Sequence, residues 1–106
     1  MADLRDVPRL SVTEAAILER LIARPELYGL EIVRASEGRV KQGTLYVTLN
    51  RMSEKGYVTS RQEEQTPGAI GPPRRLYRVT GFGVRVFSAW AELAAQFPSG
   101  RLEPAR

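Results

Sequence analysis

The sequence predicts an α+β fold that is mostly α: three helices, a two-stranded hairpin and a last helix, in that order. Three observations predict it. Apolar residues recur every three or four positions in four separate stretches. Two short runs rich in β-branched and aromatic residues flank a segment dense in proline and glycine. Ser11, Gly56 and Thr80 stand where helices start or stop. A chain of 106 residues makes one domain with a modest core and is too short for two independent ones.

Ser11-Val12-Thr13-Glu14 reads as a capping box, and Ala15, Leu18, Leu21 and Ile22 follow at helical spacing as far as Pro25. A second helix carries Tyr28 and Ile32, with Leu30 and Val33 adding apolar surface, and ends at Ser36-Glu37-Gly38. Val40 is expected to pair briefly as a strand residue, and Lys41-Gln42-Gly43-Thr44 to turn the chain into a third helix. At about 3.6 residues per turn, Leu45, Leu49 and Met52 of that helix share one stripe and can be buried. Gly43, Tyr46, Val47, Asn50 and Arg51 fall toward the other side, which is polar and barely acidic. Lys55-Gly56 supplies a C-terminal cation and then a stop.

Tyr57-Val58-Thr59-Ser60-Arg61 and Leu76-Tyr77-Arg78-Val79-Thr80 read as strands. The intervening Thr66-Pro67-Gly68-Ala69-Ile70-Gly71-Pro72-Pro73 is too long for a tight turn and too rich in proline for a ladder, so it forms a mobile hairpin tip. Arg61, Arg74 and Arg75 give the hairpin a small cluster of guanidinium groups, which either solvates it or meets phosphate or a minor groove. Thr80 then caps a fourth helix in which Phe82, Val86, Phe87, Trp90, Leu93, Ala94 and Phe97 recur until Pro98. That is more large apolar surface than one stripe needs. Either all of it packs on the core, or some of it faces a second copy of the chain.

The charge balance, 16 Lys+Arg against 12 Asp+Glu for a net charge of +4, is compatible with a polyanionic partner but far from a polybasic tail. With no cysteine and no histidine the chain lacks thiol nucleophiles, disulfides, thiolate or imidazole metal ligands and the commonest general base. Neither a metal nor another cofactor is expected. Glu63 and Glu64 are adjacent, so their side chains diverge, and no nucleophile accompanies them; an enzyme is not expected either. No run of about 18 apolar residues and no charged-then-apolar leader is present, so the expected place is the cytoplasm, without a membrane.

Helix, helix, helix, strand, loop, strand, helix is the order of a winged helix-turn-helix domain, in which the second and third helices form the reading pair and the hairpin forms the wing. Residues 1–9 are expected as a flexible arm, 10–80 as the DNA-binding domain, 81–98 as a C-terminal dimerisation helix and 99–106 as a disordered tail. On the third helix, asparagine and arginine suit base edges and hydroxyls suit phosphate oxygens. The expected phosphate contacts are Lys41, Arg51, Arg61, Arg74 and Arg75, and the expected base-facing residues are Gln42, Thr44, Tyr46, Val47 and Asn50. An alternative is a winged-helix module that uses the same faces to hold a protein, without sequence-specific DNA binding.

Over residues 10 to 97 the chain resembles the PadR family of bacterial transcriptional regulators. The resemblance is carried by Leu10 to Leu18, by Leu27-Tyr28-Gly29-Leu30-Glu31-Ile32, and by Gly43-Thr44-Leu45-Tyr46 with Leu49 and Met52. Glu54-Lys55-Gly56-Tyr57-Val58 and Arg75-Leu76-Tyr77-Arg78-Val79-Thr80 with Gly83 complete it. It implies a dimeric regulator, of the repressor type, that binds an inverted repeat in double-stranded DNA through the third helix and the wing and dimerises through terminal helices. It places Gly43, Thr44, Tyr46 and Thr48 against DNA. Val47 stands where the family often has proline, which bears on base preference or on the entry of the helix. With one helix after the hairpin, the chain resembles the short branch, some members of which bind flat aromatic ligands at the dimer interface. A small apolar effector is therefore a further expected partner, with Phe82, Val86, Phe87, Trp90, Leu93 and Phe97 as the candidate interface or pocket.

Overall fold

The computed structural model describes residues 9–96. The expected tail and Phe97 lie outside the described residues, as does the expected arm apart from Arg9. The elements are α1 (Val12–Ala23), β1 (Leu27–Tyr28), α2 (Gly29–Ala35), α3 (Gln42–Glu54), β2 (Val58–Gln62), β3 (Arg75–Val79) and α4 (Gly81–Ala95). The strands form one antiparallel sheet in the order β1-β3-β2.

Local chemistry sets most of these boundaries. The Ser11 hydroxyl accepts the Glu14 N–H at 3.0 Å while the Glu14 carboxylate accepts the Ser11 N–H at 2.9 Å, which is the reciprocal cap the sequence announces for α1. Thr80 caps α4 in the same manner, accepting the Gly83 N–H at 2.9 Å. Its hydroxyl also donates to the Gly56 carbonyl at 2.6 Å, so the start of α4 is tied to the end of α3.

Two readings of the sequence are corrected. Val40 is not a strand residue; it is buried in the turn before α3, and its N–H donates to the Ser36 hydroxyl at 3.0 Å. Ser36 is itself fully buried and donates to the Val33 carbonyl at 2.7 Å, so one hydroxyl joins the end of α2 to the turn that aims α3. Glu37 and Gly38 complete this turn at φ 53° and 90°. The third strand is instead Leu27–Tyr28, which the sequence places at the start of a helix. Leu27 pairs with Tyr77 and Tyr28 with Leu76, and the Glu31 carboxylate takes the Tyr28 N–H at 2.8 Å, making Tyr28 the residue before α2.

The core lies between α1, α3 and the inner face of the sheet. Ile17, Leu18, Ile32, Leu45, Leu49 and Met52 are all completely buried, and Val86 of α4 joins them. The stripe Leu45, Leu49, Met52 thus fixes which side of α3 faces outward.

One ion pair closes the first helix onto the third. Lys55 donates to the Glu14 carboxylate at 2.8 Å, with the Glu14 side chain nearly buried. Burial opposes the charge on Glu14, but the Lys55 ammonium and the Ser11 donors outweigh it and hold the carboxyl below its ordinary value. The same bond raises the Lys55 ammonium above its ordinary value.

Candidate nucleic-acid interface

With its inner stripe buried, α3 presents Lys41, Gln42, Gly43, Thr44, Val47, Asn50 and Arg51 to solvent. Val47 is 54% exposed in the middle of this face. The helix start is bare. Lys41 precedes it in an extended conformation with no side-chain cap, and the first turn holds no acidic residue. In the first turns of α1 and α4 a hydroxyl, of Ser11 and of Thr80, accepts an N–H, and at α2 the Glu31 carboxylate takes only the N–H of Tyr28, the residue before the helix. The uncapped N–H groups and the positive end of the helix dipole at α3 therefore remain open to an anion.

Two residues of this helix are aimed differently from the sequence reading. Thr48 is half-buried, and its hydroxyl donates back along the helix to the Thr44 carbonyl at 2.9 Å. The phenol of Tyr46 lies across Gly29 at the start of α2 rather than pointing straight out; a Cβ at position 29 would approach its hydroxyl to 2.5 Å. Gly29 is thus the glycine that lets α2 and α3 pack with this tyrosine between them.

The hairpin arginines divide between the two faces of the sheet. Tyr77, directly opposite Ser60, points into the core, and the same alternation puts Gln62 and Arg75 on that face, beyond the core and on the α3 side. Arg75 donates to the Ser60 hydroxyl at 3.0 Å. Arg61 lies on the opposite face and is not brought to α3. It makes a two-pronged bond to the Glu26 carboxylate at 2.8 and 3.0 Å, which lowers the Glu26 carboxyl from its ordinary value. Arg74 stacks over the Tyr28 ring at 4.2 Å and reaches the Glu63 carboxylate at 3.4 Å. Glu63 also accepts a bond from the Tyr28 hydroxyl, which lowers the carboxyl and raises the phenol.

Between α2, Tyr46 and the hairpin runs an open cleft of about 570 Å³, lined by Tyr28, Tyr46 and Tyr77 and by Arg34, Arg74 and Arg75. Arg34 is a residue the sequence reading missed. It stands in the last turn of α2 with no ion pair among the described residues, and it belongs with the basic side chains around α3.

The apolar residues of α4 do not act as one surface. Val86 is 2% exposed inside the core of its own chain and has no face left for a partner. Phe82 is 44% exposed and packs against the Tyr57 ring at 5.6 Å. Phe87 packs against the core and meets half-buried Trp90 at 5.7 Å, and Leu93 is half-buried. Phe87 and Trp90 border a groove of about 180 Å³ shared with Val12, Ala15 and Ala16 of α1, below the roughly 300 Å³ at which small-molecule pockets begin. Among the described residues no group of three metal-binding side chains occurs, and no helix is long and apolar enough to cross a membrane.

Three helices, with α2 and α3 joined by a fixed turn and a hairpin flanking α3, define a winged helix-turn-helix protein. The model of the Transcriptional regulator PadR-like family matches residues 17–89, and the chain belongs to that family. A PadR-like transcription factor from Bacteroides fragilis shares 30% identity with it, over 78% of this chain and 84% of that one, with a TM-score of 0.62. Two further structures share its fold. The PcaV transcriptional regulator of Streptomyces coelicolor, solved with its natural ligand, is 21% identical with a TM-score of 0.69; the alignment covers 82% of this chain and 57% of PcaV. Bacillus subtilis PadR, solved in complex with operator DNA, is 23% identical with a TM-score of 0.65, over 79% of this chain and 48% of that one. The chain thus spans about half the length of these two regulators. No curated protein matches it in sequence.

Proposed function

We propose that this family member is a sequence-specific DNA-binding repressor that acts as a homodimer on an inverted-repeat operator. The observation that carries the reading is the outer face of α3: an uncapped, acid-free N-terminal turn, a core stripe that fixes its orientation, and Arg75 on the same side. Operator DNA bound by Bacillus subtilis PadR supports it. In this reading α3 enters the major groove, with Gln42, Thr44, Val47 and Asn50 facing base edges and Gly43 allowing close approach. Lys41, Arg51, Arg34 and Arg75 neutralise phosphates, and the phenol of Tyr46 lines the path of the backbone. Arg61 and Arg74, engaged with Glu26 and Glu63, contribute less. Phe82, Trp90 and Leu93 supply apolar surface for a second copy, and two-fold symmetry makes the operator palindromic. Repression follows from occupying a promoter.

The test is selection from a pool of random duplexes by the purified protein. Enrichment of an inverted repeat whose halves lie about one helical turn apart is the expected result. A pool that stays random, with protein retained on no duplex, would transfer the outer face of α3 to a protein partner.

A further inference from the structure

The loop between β2 and β3 holds the most exposed large apolar side chain among the described residues, Ile70, which is 99% exposed. Neither the core nor α4 has any use for it. The loop that carries it is nevertheless built. The last rung of the hairpin is the Glu63 N–H to the Arg74 carbonyl at 2.6 Å. Beyond it, the Ala69 N–H closes a turn onto the Thr66 carbonyl at 3.0 Å, and the Gln65 side-chain amide donates across the loop to the Gly71 carbonyl at 2.6 Å. Gly68 and Gly71, at φ 86° and 90°, reverse the chain on either side of Ile70, and Pro72-Pro73 stiffen the return. A braced, narrow tip thus presents one isoleucine to solvent.

The charge behind the tip says what it faces. Glu63 and Glu64 precede the tip, with Glu63 taken up by Tyr28 and Arg74; from Thr66 to Arg78 the chain adds Arg74, Arg75 and Arg78 and no further acid. With Arg74 engaged by Glu63, an apolar point backed by Arg75 and Arg78, on the hairpin beside a helix that reads the major groove, suits the adjacent minor groove. There apolar side chains enter base steps while arginines meet the flanking phosphates. We propose that Ile70 is a minor-groove wedge: it inserts at a base step beside each half-site, bends the duplex, and makes affinity depend on how readily that step unstacks. The proposal rests on the DNA-binding reading and adds to it a residue, a groove and a deformation. Specificity at base pairs that no side chain of α3 touches follows from it.

The test compares the wild-type dimer with Ile70→Ser and Ile70→Met on the selected operator, labelled at both ends for resonance energy transfer. A side chain this exposed can be replaced without loss of the fold, and thermal unfolding verifies that. The wild type and Ile70→Met are expected to shorten the end-to-end distance. Ile70→Ser is expected to leave the duplex nearly straight and to bind it roughly a hundred-fold more weakly, the worth of burying two such side chains, one from each protomer, with an unchanged salt slope. Equal bending and affinity for Ile70→Ser overturns the wedge and leaves the DNA reading standing. No binding by the wild type removes both.

Discussion

Replacing Gly83 with alanine sets two effects of opposite sign against each other. Alanine favours the helix by up to about 1 kcal/mol over glycine. Against this, the new Cβ would fall on the Tyr57 carbonyl oxygen and lie 2.8 Å from Val79 Cγ2 and 3.0 Å from the Tyr57 carbonyl carbon. The obstacle is backbone that cannot retreat, because the Tyr57 carbonyl accepts the Thr80 N–H at 3.0 Å and the Thr80 hydroxyl at 3.1 Å. The first turn of α4 must therefore lift, which loosens Val86 and Phe87 from the core. Overpacking of this kind costs about 1–3 kcal/mol, and rigid backbone puts the site at the upper end. For a domain of this size the melting temperature should fall by roughly 5–20 °C, read by far-ultraviolet circular dichroism. Gly43→Ala is the matched control, since a Cβ there meets nothing within 4 Å. It should raise stability by up to about 1 kcal/mol while weakening DNA binding, because the methyl group stands on the face proposed to meet the duplex. A Gly83→Ala protein as stable as the wild type would refute the packing argument.

Three further outcomes are expected. Ser36→Ala leaves the buried Val40 N–H without its acceptor and should cost about 1–3 kcal/mol in urea denaturation, more than serine at the exposed Ser53. The Glu14 carboxyl is held below its ordinary value of 4.5, so its stabilising contribution is present above that pH and is lost as pH falls through the lower folded value. Glu14→Gln should therefore be less stable than wild type near neutrality, and the two should converge as pH falls below the lowered folded value; a constant gap between their denaturation midpoints would remove the ion pair from the account. Arg75→Ala should lower the slope of log affinity against log salt by about one phosphate contact, whereas Arg61→Ala, already neutralised by Glu26, should leave it nearly unchanged. Equal slopes for the two variants would contradict the division of the hairpin arginines.

The parts of this fold that were readable in the sequence are those set by short-range chemistry. Ser11 with Glu14 and Thr80 with Gly83 announce helix starts because donor and acceptor lie within one turn. Leu45, Leu49 and Met52 announce the buried side of α3 because period alone places them together. What escaped depends on distant partners. β1 is two residues long and exists only because β3 offers it an edge, so no local pattern marks it. Tyr46 is steered by the space above Gly29, and Arg61 by Glu26, neither of which its own neighbourhood reveals. Arg34 went unnoticed because the reading of α2 followed its apolar stripe; the position of this cation on the turn nearest α3 was the available signal. The α4 residues were grouped by type, and only packing separates Val86, inside the core, from Phe82, outside it.

The central claim is that α3 and Arg75 grip a duplex of particular sequence. Fluorescence anisotropy tests it most directly, with the purified protein titrated onto labelled duplex from immediately upstream of its own gene, and onto a shuffled duplex, at several salt concentrations. Tight binding that favours the native duplex and weakens steeply with salt is the predicted result. Equal affinity for the two duplexes, or binding indifferent to salt, would contradict it.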